Sequence, residues 1–112
     1  EAILLIPALK IKNVVLIVDN NDLQSATKAS DTHPNLYPLK DKMQSFGWDT
    51  IECNGHNTGK IIKAINNKSK QKPFCLIGKT TKGFPVSFMM NRPLWHYRAP
   101  NKEEYLQALK EI

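Results

Sequence analysis

Asp19, Asn20, Asn21 and Asp22 place four short oxygen-bearing side chains in a row, directly after the aliphatic run Val14 to Val18. Carboxylate and carboxamide oxygens are the hard ligands that magnesium or calcium takes, and the same residue types tolerate tight turns. In an open parallel α/β sheet, ligands sit at the carboxyl ends of strands, where a turn after this run would lie. The segment therefore reads either as part of a metal site or as a plain polar turn, and its own residues do not decide. Two more groups could do chemistry. Lys82, in the stretch Lys79-Thr80-Thr81-Lys82-Gly83, is either a cation for a bound anion or a solvent-facing loop lysine. His96, next to Trp95, is either a proton donor and acceptor or a packed surface residue. His56 falls in a turn before a helix and reads as structural, while nothing distinguishes His33 in its polar loop. Cys53 and Cys75 lack C-x-x-C spacing and read as reduced core residues, which points to a cytoplasmic protein.

These groups need elements to hold them. Val14 to Val18 has the uniformly apolar character of a strand buried on both faces. Before it, Ala2 to Leu9 reads as a mostly buried helix, bent or started at Pro7. Ser25 to Tyr37 is polar and without period, a long loop of functional or mobile type. Leu36, Leu39, Met43 and Phe46 recur at helical spacing, which predicts a helix from about Pro38 to Phe46 capped by Gly47. Trp48 to Cys53 is a second strand, polar enough for a sheet edge. Asn57 can cap a helix whose buried stripe is Ile61, Ile62 and Ile65, with Lys60 and Lys63 off the stripe. Phe74 to Gly78 is a third, central strand, followed by a long segment from Lys79 to Ala99. Asn101 caps the last helix, with Glu104 completing a capping box and Leu106 and Leu109 facing inward. Strands alternating with helices imply an α/β fold: a parallel sheet of about three strands flanked by helices, with right-handed crossovers.

The 112 residues are expected to form a single domain segment, residues 1–112. With 41% hydrophobic and 23% charged residues, the composition is that of a soluble globular protein. The net charge is +6, but the lysines are scattered. The loose group of Lys60, Lys63, Lys68, Lys70 and Lys72 reads as a solvated helix face, so nucleic acid is not an expected partner. No apolar run reaches the length of a bilayer-spanning helix, so neither is a membrane. Ala2 to Leu9 follows an acidic Glu1 and contains Pro7, unlike a signal peptide. Without an initial Met, the chain reads as a cut piece or a processed product.

Four stretches carry a resemblance: the lead-in from Glu1-Ala2 to Lys12-Asn13; Val18-Asp19-Asn20-Asn21-Asp22-Leu23-Gln24; Phe46-Gly47-Trp48 to Glu52 with Asn54-Gly55-His56-Asn57; and Lys79 to Gly83 followed by Trp95-His96. In this order they resemble the second half of the thiamine-diphosphate-binding domain of transketolases. The second stretch resembles the closing half of the thiamine diphosphate motif. The third resembles the family's G-W-x-x-I-E and D-G-H-D elements, and the fourth its K-T-x-K-G and W-H-G elements. The resemblance implies thiamine diphosphate and Mg2+ as cofactors. Asn21 would give the metal a side-chain oxygen and Leu23 its backbone carbonyl, while the carboxylate of the motif's opening G-D-G half is absent from this sequence. Lys82 would balance diphosphate charge, and His96 would touch both cofactor and a sugar-phosphate substrate. The implied reaction transfers a two-carbon ketol unit between sugar phosphates. The implied partner is a pyrimidine-binding domain or a carboxyl-terminal transketolase subunit, in a homodimer or heterotetramer, with the isolated chain inactive. The apolar character of the strands leaves two spatial orders, second-first-third or first-third-second, with the second strand outermost in either, and the resemblance favours the latter. There are departures from the family pattern: Asp22 stands where glycine is common, adding a carboxylate close to the ion, and Tyr97 replaces the glycine of W-H-G. Phe84-Pro85 follows Gly83 where a second glycine is common. A deoxyxylulose-phosphate synthase or a 2-oxo-acid dehydrogenase of related type shares much of the pattern, and a non-catalytic α/β interaction module is the alternative of another class.

Overall fold

In a computed structural model that describes Glu1–Ile112, regular structure begins with helix α1 (Ala2–Ala8), strand β1 (Val15–Asn20) and the short strands β2 (Leu23–Gln24) and β3 (Thr27–Lys28). Helices α2 (Ala29–Thr32) and α3 (Leu39–Ser45), strand β4 (Asp49–Asn54), helix α4 (Thr58–Asn66) and strand β5 (Phe74–Lys79) follow. A 3-10 turn (Pro93–His96) and helix α5 (Lys102–Glu111) complete the chain. The residues fall into two compact units. One comprises Glu1–Asn20 and Asn35–Thr80, the other Asn21–Pro34 and Thr81–Ile112.

The first unit is built on β5. Phe74, Cys75, Leu76 and Ile77 are all buried, because β5 is paired in parallel on both sides in the order β1-β5-β4. The more polar β4 lies at the edge, as its composition predicts. Alternation of side chains then sends two clusters to opposite faces of the sheet. Met43, Trp48, Cys75 and Ile77 pack with Ile6, Val14, Leu16, Val18 and Leu39 on one face. Ala64, Phe74 and Leu76 pack with Ile51, Cys53, Ile61 and Ile65 on the other. Burial pushes the Cys75 thiol up to about 11, so it stays an inert thiol. Cys53 and Cys75 are both free.

Three expectations fail here, each for a packing reason. The strand runs to Asn20, and β1 is buried on one face only. Its register with β5 sets Val15 beside Phe74 and Ile17 beside Leu76, on the side where α4 packs on β4 and β5. Ile17 is left 61% exposed. Helix α1 contains Pro7 without being mostly buried; only Ile6 joins the core, and Ile3, Leu4, Leu5 and Leu9 lie exposed. The Trp48 indole N–H anchors it by donating to the Ile3 carbonyl at 2.8 Å. In α4, Ile61, Ala64 and Ile65 share one face at i, i+3 and i+4, which leaves Ile62 half-exposed on the next. The caps form as read: Asn57 accepts from the Lys60 N–H at 2.9 Å, and Gly47 takes φ +99° after α3. Gly47 also lets α1 approach, since a Cβ there would lie 3.0 Å from that of Pro7.

The second unit orders residues that the sequence pattern assigns to a loop. β2 and β3 form a two-stranded antiparallel ribbon, with Leu23 opposite Lys28 and Gln24 opposite Thr27. Ser25, in the left-handed region at φ 54°, makes the turn without the glycine or Asn-Gly pair that would announce it. Helix α5 begins with the expected capping box between Asn101 and Glu104. Its packed face, however, is Glu104, Ala108 and Glu111 at i, i+4 and i+7, and not Leu106 and Leu109, which are 50% and 54% exposed. Polar bonds hold that face. Glu104 pairs with Arg98, and Glu111 accepts from the Ser87 backbone N–H and hydroxyl.

Candidate functional site

Strand β1 delivers the D-N-N-D run at its carboxyl end. The first two residues are tied within the sheet unit. The Thr80 hydroxyl donates to the Asp19 carboxylate, bridging the ends of β1 and β5, and the Tyr37 hydroxyl donates to Asn20 Oδ1 at 3.0 Å. The next two belong to the second unit. Asn21 Oδ1 accepts the Leu23 N–H at 2.8 Å, which folds the turn so that the Asn21 side chain and the Leu23 backbone share one short loop. Both residues are half-buried. An amide oxygen has two lone pairs, so this bond leaves Asn21 one for a metal.

Asp22 has a role that its place in the sequence does not announce. Its backbone sits in the left-handed region at φ 59°. Its carboxylate accepts the Ser30 N–H at 2.9 Å and the Ser30 hydroxyl at 2.7 Å, and its carbonyl accepts the Ala29 N–H at 2.9 Å. The carboxylate is thus committed to the start of α2. Ser30 carries no sequence signal for this role.

Lys82 and His96 come together. Fourteen residues apart in sequence, their Nζ and Nδ1 atoms lie 3.1 Å apart. An ammonium can only donate, so a hydrogen bond in this contact has Nδ1 as acceptor and calls for the tautomer with its hydrogen on Nε2. Lys82 is fixed by its backbone: its carbonyl accepts the Asn91 N–H at 2.9 Å. Gly83 follows at φ +85°, with Met89 so close that a Cβ would meet its carbonyl oxygen at 2.5 Å. His96 ends the 3-10 turn, and Trp95 anchors it. The Trp95 indole donates to the Phe88 carbonyl at 3.1 Å, the ring meets Phe88 edge-on at 5.2 Å, and the Arg98 guanidinium lies 4.0 Å over its face. Arg98 and Glu104 form a two-bond ion pair that ties the turn to α5. Tyr97, at the family's glycine position, stands edge-on to His96 at 4.9 Å. His56 is exposed, its N–H donating to Asn54 Oδ1 at 2.9 Å, and His33 is exposed beside Thr32.

No group of three or more His, Cys, Asp or Glu side chains is placed to hold a metal. The oxygens of Asn21 and Leu23 suit magnesium in kind, as two neutral donors of an octahedral set, and a lysine cation beside an imidazole suits a phosphate. No helix is long and apolar enough to cross a membrane.

The fold is that of an α/β domain, and the candidate residues Asn21 and Lys82 stand on loops that follow parallel strands. The chain belongs to the transketolase family: the family model described as "Transketolase, thiamine diphosphate binding domain" matches residues 1–112. It is similar to an apulose-4-phosphate transketolase subunit of Phocaeicola vulgatus, at 35% identity over 92% of this chain and 37% of that protein. The corresponding protein of Actinobacillus succinogenes is 34% identical over 100% of this chain and 41% of its own length. The crystal structure of transketolase from Campylobacter jejuni matches with a TM-score of 0.84 at 25% identity, over 97% of this chain and 17% of that one. The chain therefore spans about two fifths of the length of the two apulose-4-phosphate transketolase relatives.

Proposed function

We propose that this chain is the carboxyl-terminal half of the thiamine-diphosphate-binding domain of an enzyme that transfers a two-carbon ketol unit between sugar phosphates. The observation that carries the reading is the hydrogen bond from Lys82 to His96, which joins the two cofactor-side elements of the family pattern in one place. When bound, thiamine diphosphate supplies the carbanion chemistry, and the protein supplies placement and electrostatics. Asn21 and the Leu23 carbonyl would hold Mg2+ as part of its oxygen shell. Lys82 would offset diphosphate charge. His96, with its hydrogen on Nε2, would donate to a phosphate oxygen or a substrate hydroxyl and take part in proton transfer there.

Both apulose-4-phosphate transketolase relatives are named as one subunit of their enzyme. That favours assembly with another subunit; by the family resemblance the partner would carry the pyrimidine-binding domain, in a homodimer or heterotetramer. Their names also favour a phosphorylated sugar as substrate. Two free cysteines agree with a cytoplasmic setting.

The test is product analysis with the complete enzyme, given thiamine diphosphate, Mg2+, a ketose phosphate and an aldose phosphate. A ketose phosphate two carbons longer than the acceptor is expected. Turnover of a 2-oxo acid in place of the ketose phosphate would overturn the reading.

A further inference from the structure

Asp22 stands between the two residues that would hold magnesium, in a backbone conformation that L side chains seldom adopt, and three hydrogen bonds tie it to one neighbouring segment. The Ser30 N–H and hydroxyl occupy separate oxygens of its carboxylate, at 2.9 and 2.7 Å, and the Ala29 N–H occupies its carbonyl at 2.9 Å. A φ of 59° is uncommon for a residue with a Cβ, although Asp tolerates it better than most, and here the three bonds hold it. We propose that Asp22 and Ser30 form a clasp that sets the Asn21–Leu23 turn and so positions the Asn21 oxygen and the Leu23 carbonyl for the metal. Asp22 is a positioning residue here and not a metal ligand.

The physical logic is local. The Asn21 Oδ1 to Leu23 N–H bond at 2.8 Å spans Asp22, so the direction of both donors follows the dihedral angles of Asp22. A glycine would reach φ 59° freely but would not be held there. A carboxylate bonded at both oxygens holds it without freedom to swing toward an ion. Two oxygen donors on the same turn bind a cation well only when their spacing is fixed beforehand, because magnesium tolerates little departure from octahedral geometry. Residues that orient a metal's ligands are commonly worth about 10- to 100-fold in metal affinity.

This inference rests on the cofactor reading above, and its test separates the two. In the complete enzyme at saturating thiamine diphosphate, Mg2+ affinity would be measured by calorimetry for the unaltered protein, Asp22→Ala, Asp22→Gly and Ser30→Ala. The expected result is a loss of about tenfold in Asp22→Ala, a smaller loss in Asp22→Gly, and a loss of several-fold in Ser30→Ala. Hydrogen exchange at the Leu23 amide should quicken in the same order without magnesium, which a ligand role would not produce. If Asp22→Ala weakened binding without quickening exchange at the Leu23 amide, the carboxylate would be a ligand, and the clasp would be wrong. Equal affinity in all four proteins would also overturn the clasp, leaving the cofactor reading intact. Failure of the unaltered enzyme to bind Mg2+ with thiamine diphosphate would overturn both.

Discussion

At the scale of single residues, the site depends on backbone positions as much as on reactive groups. His96→Ala in the complete enzyme removes the imidazole that meets Lys82, and turnover should fall by about 100-fold or more, the range expected for a proton-transfer partner. Steady-state kinetics showing unchanged kcat and KM would refute that role. Lys82→Met should weaken cofactor binding more than it slows turnover at saturating cofactor, because an offsetting charge acts on affinity; a thiamine diphosphate titration checks it. Gly83→Ala touches no reactive group, yet it forces a Cβ into the Met89 carbonyl at φ +85°. It should cost roughly 1–3 kcal/mol in a urea melt, and it should displace the neighbouring Lys82. Asn21, Lys82 and His96 stand out in the sequence because their types fit the chemistry at family spacing, and the structure adds that Lys82 and His96 meet. Ser30 was not legible, since a serine eight residues beyond Asp22 acts only once the ribbon of β2 and β3 has folded back.

At the scale of elements, polarity and caps were read well, and burial was read poorly where the number of covering partners decided it. The edge place of β4 followed from composition, while the choice of β5 over β1 as the central strand drew on the family resemblance as well. The one-sided burial of β1 did not, because an apolar strand looks the same whether one face or two are covered. Helix α5 shows the opposite error: two leucines at helical spacing read as the inner face, whereas two glutamates hold it. Arg98 and the Asn101 backbone keep Glu104 below its ordinary carboxylate value of 4.5, and the Ser87 N–H, with help from the Gln107 amide and the Ser87 hydroxyl, does the same for Glu111. A carboxylate with a lowered folded pKa stabilises the fold above its unfolded value. That contribution is lost as the pH falls through the lower, folded value. Helix α5 should therefore stay protected above pH 4.5 and loosen below it, read as amide hydrogen exchange corrected for the intrinsic pH dependence. Glu111→Gln should flatten part of that dependence. A profile insensitive to this substitution would mean that the leucines, and not the glutamates, carry the packing.

At the scale of the whole molecule, what this chain brings to a cofactor is set by charge. Magnesium gives up water reluctantly, and a carboxylate offsets that loss better than a neutral dipole. The oxygens available from Asn21 and Leu23 are neutral. The one carboxylate between them is held by Ser30, and Asp19 is engaged by Thr80. Lys82 would offset diphosphate charge, but an ammonium offers a metal no oxygen. The 112-residue chain on its own should therefore show no saturable binding of thiamine diphosphate and Mg2+ at micromolar ligand, and no ketol transfer. Calorimetric titration of the chain decides this, with the complete enzyme as the positive control. A micromolar signal from the chain alone would mean that Asp22 leaves Ser30 to meet the ion. The same titration of the Ser30→Ala chain would then bind more tightly, since the carboxylate would no longer be detained. If both chains stay silent while the complete enzyme binds, the missing charge comes from outside these residues, and the Asn21–Leu23 turn supplies placement for a metal that other groups hold.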